Sequence, residues 1–171
     1  MVVGCGMNKT LVGDGSFPFT VIVDGDDLVV KNARATAWGG PTDKYDDGTT
    51  AAGVNTKQWG GVILGCSLPQ NHSGEPNTEG SPIPRLRYGR VLPNGKPDLT
   101  DPNWVQVKVY FHKTGKEVMT TLLDNGPAKP PKANAAIDLT TGTIKQGGYT
   151  CNPNAFDGQV DFRIIGGAHF L

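Results

Sequence analysis

Residues 104–112 (WVQVKVYFH) decide the fold class, because apolar and polar side chains alternate strictly along them. One face of this segment carries Val105, Val107, Val109 and Phe111. A period of two is that of a β-strand with one buried face. The turn 114–116 (TGK) follows, and residues 117–123 (EVMTTLL) are predicted to return as the antiparallel partner.

Shorter segments of the same kind occur on both sides of this hairpin. Residues 34–38 (RATAW) and 159–165 (QVDFRII) alternate and are predicted strands. Residues 62–64 are a short apolar predicted strand that ends at Gly65, and residues 87–91 carry a further strand signal. Residues 135–139 are a brief apolar stretch around one acid, Asp138. Residues 140–146 form the predicted helical turn, which ends at Gly147-Gly148.

A hairpin is predicted near the beginning of the chain, in residues 17–31 (FPFTVIVDGDDLVVK). Its centre is an Asp-Gly turn between β-branched runs, which is a strong hairpin signal. We therefore expect residues 1–33 to be an N-terminal extension with a β-hairpin and residues 34–171 to be the main domain.

The composition favours an all-β protein with long loops. Of 171 residues, 24 are Gly and 13 are Pro, and only 19% are charged. Gly and Pro are so closely spaced that long helices are excluded, since each costs about 1 or 3 kcal/mol in a helix interior. The loops 39–61 and 67–84 are long for a compact domain, and such loops often carry function.

The charge balance and the short apolar runs argue against nucleic acid and a membrane span. Sixteen basic residues balance sixteen acidic ones, so nucleic acid is not expected as a main partner. No apolar run reaches the about 18 residues that span a bilayer, so no transmembrane segment is expected. Residues 1–5 are too short for a secretory signal, although residues 2–5 (VVGC) resemble the end of a bacterial lipoprotein signal.

The chain contains three cysteines, Cys5, Cys66 and Cys151. One reading is a Cys66–Cys151 disulfide in an oxidising compartment, which leaves Cys5 unpaired. The other is three reduced thiols, and the sequence does not choose between them. No CxxC pair or HxxxH spacing occurs, so a structural zinc site is not expected. We predict no metal ligands and no cofactor.

Two acids, Asp124 and Asp138, are surrounded by apolar or small residues. Burial of a carboxyl raises its pKa, which lets it hold a proton near neutral pH as a general acid must. Asp124 is followed by Asn-Gly-Pro, so a simple turn cap is the alternative. For Asp138 the alternative is a buried structural acid. The aromatic residues Trp38, Tyr45, Trp59 and Tyr88 either line a sugar groove or belong to the core.

Several short motifs resemble those of the rare lipoprotein A-like (RlpA-like) family. Residues 35–40 (ATAWGG) and 47–53 (DGTTAAG) resemble its opening strand and T-A-S-G loop. Residues 121–127 (TLLDNGP) and 136–140 (AIDLT) resemble its N-D-R-G-P and I-D-L-S motifs. The resemblance covers roughly residues 34–167. The chain departs from the family at Ala52, where Ser is usual, and at Val54, where an acid is common.

This resemblance implies a six-stranded double-psi β-barrel, the fold shared with expansins, barwin-type domains, one endoglucanase family and lytic transglycosylase A. It implies a groove for β-linked glycans, with Asp124 and Asp138 as the catalytic acids. The expected substrate-binding residues are Trp38, Tyr45, Asp47, Thr50, Asn125 and Lys129. The first strand lacks the acid that the endoglucanases use as a base, which argues against a two-carboxylate hydrolysis.

The leading functional hypothesis is an enzyme of lytic-transglycosylase or glycosidase type that cleaves peptidoglycan or another β-linked glycan, such as a β-glucan. Asp124 would donate the proton. The alternatives are an expansin-like binding module without turnover, and a structural component of a phage particle or secretion apparatus. Each hypothesis places the protein outside the cytoplasm, in the envelope, secreted or on a virion. The sequence makes no prediction of the glycan or of the oligomeric state.

Overall fold

The computed structural model of the protein describes residues 9–129 and 134–171. The lipoprotein-like residues 2–5 and Cys5 lie outside the described residues. The elements in chain order are β1 (Thr10–Leu11), β2 (Val21–Asp24), β3 (Asp27–Trp38), α1 (Thr56–Trp59), β4 (Gly65–Leu68), β5 (Gln106–Phe111), β6 (Glu117–Asn125), β7 (Ile137–Thr140), α2 (Thr141–Gln146) and β8 (Gly158–Ile164). Single 3-10 turns span Pro153–Ala155 and Gly167–Phe170.

Six of the strands close into a barrel. The order along the sheet is β1-β2-β3-β7-β4-β6-β5-β8, and pairing of β3 with β8 closes the ring. Strands β1 and β2 lie outside the ring. The prediction of an all-β, six-stranded barrel with an N-terminal hairpin is confirmed.

The barrel repeats one pairing pattern twice. Two pairs, β3–β7 and β4–β6, are parallel, and the other four pairs are antiparallel. If β3, β4 and β5 exchange places with β6, β7 and β8, respectively, the same strands remain neighbours. Each neighbouring pair also keeps its parallel or antiparallel direction. The barrel is therefore two interlocked three-stranded halves, which bring strands distant in sequence side by side.

The core fills the interior of the barrel along the predicted alternation. Val107, Val109 and Phe111 on β5 are fully buried, and so are Val160 and Ile164 on the neighbouring β8. Burying a side chain of this size contributes about 1.5–3 kcal/mol. The apolar face predicted from residues 104–112 is thus the face that packs into the barrel interior.

The N-terminal hairpin is confirmed, with Asp24 opposite Asp27 across a two-residue turn. Gly25 in that turn has a φ of 60°, a conformation that glycine adopts without strain. Strand β3 continues from the hairpin to Trp38 and passes a bulge between Val30 and Ala33. One strand thus belongs to both the hairpin and the barrel, and the expected boundary between residues 33 and 34 falls inside it.

Three predicted strands differ from the structure. Residues 62–64 form no strand, because the N–H groups of Val62 and Ile63 bond back to the Trp59 carbonyl as a turn after α1. Residues 87–91 contribute only an isolated bridge between Val91 and Pro97. The strand predicted to end at residue 123 continues to residue 125, because its parallel partner β4 pairs with those last residues.

The two cysteines in the described part of the chain are free thiols. Cys66 is buried and Cys151 is partly buried. The predicted alternative of a disulfide between them is therefore wrong. Burial, the largest cause, raises the pKa of the Cys66 thiol to about 12.

None of the helices in residues 9–129 and 134–171 is long and apolar enough to span a membrane.

Candidate functional site

A cavity of about 760 Å³ opens on the barrel where β3, β6 and β7 meet the loops that follow them. Six of the eight predicted site residues line it: Trp38, Tyr45, Asp47, Asp124, Asn125 and Asp138. Its lining also includes residues that the sequence reasoning did not identify, among them Arg34, Thr36, Asp43, Asp46, Ser67 and Asp157. The structure thus brings both candidate acids into one cavity.

The two acids come together because of strand register. Thr36 pairs with Asp138, Asp138 pairs with Ser67, and Ser67 pairs with Asp124. These four residues form one row across β3, β7, β4 and β6, and all four line the cavity. Neighbouring strands lie about 4.8 Å apart, so the backbones that carry the two acids are about 10 Å apart.

Asp124 is held at the end of β6 by the backbone. Its Oδ1 accepts hydrogen bonds from the N–H of Ala51 and the N–H of Asn125, both at 2.8 Å. Burial is the largest influence on this carboxyl and raises its pKa, the two N–H groups lower it, and Asp47 and Asp46 raise it. The net pKa is raised above 3.8, which is the direction predicted from the apolar neighbours.

Asp138 is the more strongly perturbed acid. Burial, the largest cause, raises its pKa to about 7, although hydrogen bonding from Thr36 and from the Leu139 N–H lowers it. The charges of Asp43 and Asp124 raise this pKa further. Its Oδ1 is buried and has no hydrogen-bond partner among the described residues. Asp138 is therefore largely protonated at mildly acidic pH.

The loop after β3 forms one wall of the cavity and is built on carboxylate turns. Asp43 is buried and accepts from the N–H of Gly39 at 2.8 Å and of Tyr45 at 3.0 Å. Asp46 Oδ1 accepts from the Gly48 N–H at 2.8 Å and from the Thr56 hydroxyl at 2.9 Å. These bonds fix the part of the loop that carries Tyr45, whose side chain is 87% exposed at the cavity rim.

Asn125 joins the end of β6 to the loop after β4. Its Oδ1 accepts from the Gln70 N–H at 2.7 Å, and its amide donates to the Thr78 hydroxyl at 3.1 Å. Gln70 is fully buried and donates to the Tyr88 hydroxyl at 2.9 Å. Tyr88 is therefore part of the packing. Trp59 is likewise away from the cavity and donates to the Asn94 carbonyl at 3.1 Å.

Two of the expected substrate-binding residues do not line the cavity. Thr50 is buried, and its hydroxyl oxygen accepts from the Val54 N–H at 3.1 Å to close a turn. Lys129 donates from Nζ to the Glu79 carbonyl at 2.6 Å and to Asp14 at 3.1 Å. Both side chains have structural partners, and neither is brought to the two acids.

An ion pair that was not predicted from the sequence forms part of the cavity wall. Arg34 donates from Nε to Asp157 Oδ1 at 2.8 Å and from Nη2 to Oδ2 at 2.6 Å. This bidentate contact lowers the pKa of Asp157. A signal for Arg34 and Thr36 was present in the sequence, because the period of two in residues 34–38 places them on the same face as Trp38.

The carboxylates of the cavity are not arranged as a metal centre. Across residues 9–129 and 134–171, no group of three or more His, Cys, Asp or Glu side chains has the geometry to hold a metal ion.

Comparison with known proteins yields no matching family model and no matching curated protein.

Proposed function

We propose that the protein cleaves a β-linked polysaccharide such as peptidoglycan by Asp general acid catalysis, as an RlpA-like barrel outside the cytoplasm. The observation that carries this proposal is the row of Asp124 and Asp138 in one open cavity, both with a raised pKa. A protonated carboxyl in a groove is what protonation of a glycosidic oxygen requires.

Asp124 is the proposed proton donor. Its Oδ1 is fixed by two backbone N–H groups, and its Oδ2 has no hydrogen-bond partner among the described residues. In the transglycosylase route, Asp124 gives its proton to the leaving oxygen as the glycosidic bond breaks. A hydroxyl of the same sugar then attacks the anomeric carbon, and its proton returns to Asp124. One acid serves both steps.

Asp138 is proposed to act as a neutral neighbour. With a pKa of about 7 it is largely protonated at mildly acidic pH, so it adds no second charge beside Asp124. A protonated carboxyl also donates a hydrogen bond, which suits the orientation of a sugar hydroxyl. Ordinary glycoside hydrolysis instead uses two catalytic carboxyl groups, one as general acid and the other as general base or nucleophile.

The rim of the cavity supports sugar binding. Tyr45 is exposed there, and Trp38 lies at the end of β3 in the same lining. Aromatic faces have an apolar surface with a polar edge, which suits the alternating surface of a pyranose. These residues, with Asp47 and Asn125, form the proposed substrate-binding set.

The proposal is tested by incubating the protein with peptidoglycan, chitosan and cellulose and analysing soluble products by mass spectrometry. Asp124→Asn should lower product release by at least about 100-fold, the scale of general acid catalysis. Asp138→Asn should retain most activity, because asparagine reproduces a neutral hydrogen-bonding group. Asp26→Asn is the matched control, since Asp26 is exposed on the N-terminal hairpin turn, away from the cavity.

Two outcomes would contradict these roles. Full activity of the Asp124→Asn variant would remove Asp124 as the acid, and an inactive Asp138→Asn variant beside an active Asp124→Asn variant would reverse the two assignments. Saturable binding without any product from the unmodified protein would favour the expansin-like module instead.

A further inference from the structure

The cavity is strongly acidic although the whole chain is neutral. Six Asp side chains line it, and Arg34 is the one basic side chain in the described lining. Arg34 is already paired with Asp157. Asp43, Asp46 and Asp47 therefore remain without a basic partner in the described lining, and Asp124 and Asp138 are the two acids whose raised pKa favours the neutral form. Lys57 contacts this loop only through the backbone carbonyls of Asp43 and Asp46, at 3.3 and 3.5 Å.

A second observation concerns unsatisfied acceptors in the same lining. Asp46 Oδ2 and Asp138 Oδ1 are both buried and have no hydrogen-bond partner among the described residues. A buried acceptor without a donor is unfavourable. The complement to such a lining is a group that has only donors. An ammonium group has three donors and no acceptor, whereas a sugar hydroxyl brings acceptor lone pairs of its own.

We propose that the cavity takes a glycan that carries a primary amine, an inference that rests on the proposed function and specifies its substrate class. The ammonium group would lie against the carboxylates, while the exposed Tyr45 ring at the rim meets the face of a sugar. Two sources present this chemistry. One is an amino sugar without its N-acetyl group, and the other is a peptide amine attached to the glycan.

Calorimetry with matched ligand pairs separates these sources. The first pair is a β-1,4-linked glucosamine hexamer and the same hexamer fully N-acetylated. The second pair is a peptidoglycan fragment with a free side-chain amine and the same fragment with that amine acetylated. At about pH 6 and low salt, the amine form of one pair should bind about tenfold more tightly than its acetylated form. Added salt should shrink the difference, because it screens charge.

Variants of the protein test the electrostatic origin of the preference. Asp47 is exposed in the lining and accepts only the Thr49 N–H, at 3.1 Å, so Asp47→Asn should fold normally. This variant should reduce the preference for the amine about threefold. Asp26→Asn removes the same charge far from the cavity and should leave the preference unchanged.

The outcomes distinguish this inference from the proposed function. Equal binding of the amine and acetylated forms in both pairs, or a preference unaffected by Asp47→Asn and by salt, would overturn the amine inference while glycan cleavage stands. Failure to bind or cleave any of the four ligands or the polymeric glycans would instead contradict the proposed function itself.

Discussion

Replacing Asp138 with asparagine should stabilise the protein at alkaline pH and change little in acid. The pKa of this carboxyl rises from an ordinary value of 3.8 to about 7 in the folded protein. Between these values the folded state binds more protons than the unfolded state, so the free energy of unfolding falls as the pH rises. One pKa unit corresponds to about 1.4 kcal/mol, so the fall attributable to Asp138 reaches about 4 kcal/mol by about pH 8.

The physical reason is the burial of a charge. Above its folded pKa, Asp138 must ionise inside the barrel beside Asp43 and Asp124, with Oδ1 lacking a donor. Asparagine cannot ionise and avoids this cost. Acids whose pKa is lowered on folding, such as Asp27 and Asp161, contribute with the opposite sign and lose their stabilisation only as the pH falls through about 4 and below.

The assay is urea denaturation of both proteins at several pH values between about 4 and 8. The unmodified protein should lose stability across this window, whereas Asp138→Asn should lose much less. A residual slope is expected in the variant, because Asp124 also has a raised pKa. Asp26→Asn should follow the unmodified protein. Parallel curves for the unmodified protein and Asp138→Asn would show that Asp138 does not hold its proton, and the reasoning about the site would fail.

Three further predictions concern the barrel. Gly65→Ala should lower the free energy of unfolding by about 1–3 kcal/mol in urea titration, because a Cβ at Gly65 collides with Leu123 at the β4–β6 contact. Thr140→Val should cost about 2–4 kcal/mol in the same titration, since its hydroxyl accepts from the Gly65 N–H at 3.0 Å and donates to the carbonyl of residue 63 at 2.6 Å. Iodoacetamide should label Cys151 at least about tenfold faster than Cys66 in the native protein, as followed by mass spectrometry, because the buried Cys66 thiol resists ionisation.

Each of these predictions has a matched control. Gly61→Ala adds a Cβ whose nearest neighbour is at an ordinary contact distance of 3.8 Å, so it should be tolerated. Thr150→Val changes an exposed threonine and should cost little. Denaturant should equalise the labelling of the two cysteines. Equal effects of Gly65→Ala and Gly61→Ala, or of the two threonine variants, would contradict the packing and hydrogen-bond arguments, and equal native labelling would contradict the burial of Cys66.

Local patterns predicted much of the secondary structure. The period of two in residues 104–112 identified β5 and its buried face, and the Asp-Gly turn at residue 25 identified the hairpin. The helical turn at residues 141–146 follows from Thr140, whose side chain caps it, and from the glycines after it. Gly65 misled the prediction, because a glycine read as a strand end in fact begins β4, where the close approach of Leu123 excludes a side chain.

Six of the eight predicted site residues line the cavity, and two do not. Asp124 and Asp138 were predicted from their apolar neighbours, and both line the cavity. Thr50 and Lys129 were predicted from motif position alone, and their side chains bond elsewhere. Ser67 was missed because nothing in a run of loop residues marks it, and only the pairing of β4 with β6 and β7 places it between the acids.

The amino-acid sequence by itself determined that the chain is all-β, where most strands lie and which faces they bury, because alternation and turn chemistry act over a few neighbouring residues. Only the tertiary structure decided that β3, β7, β4 and β6 are neighbours in that register. The β3–β7 pair joins Thr36 to Asp138, about 100 positions apart, so this pairing depends on the whole core and on loop closure. The row from Thr36 to Asp124, and the burial that raises the pKa of Asp138, exist only once that closure is made.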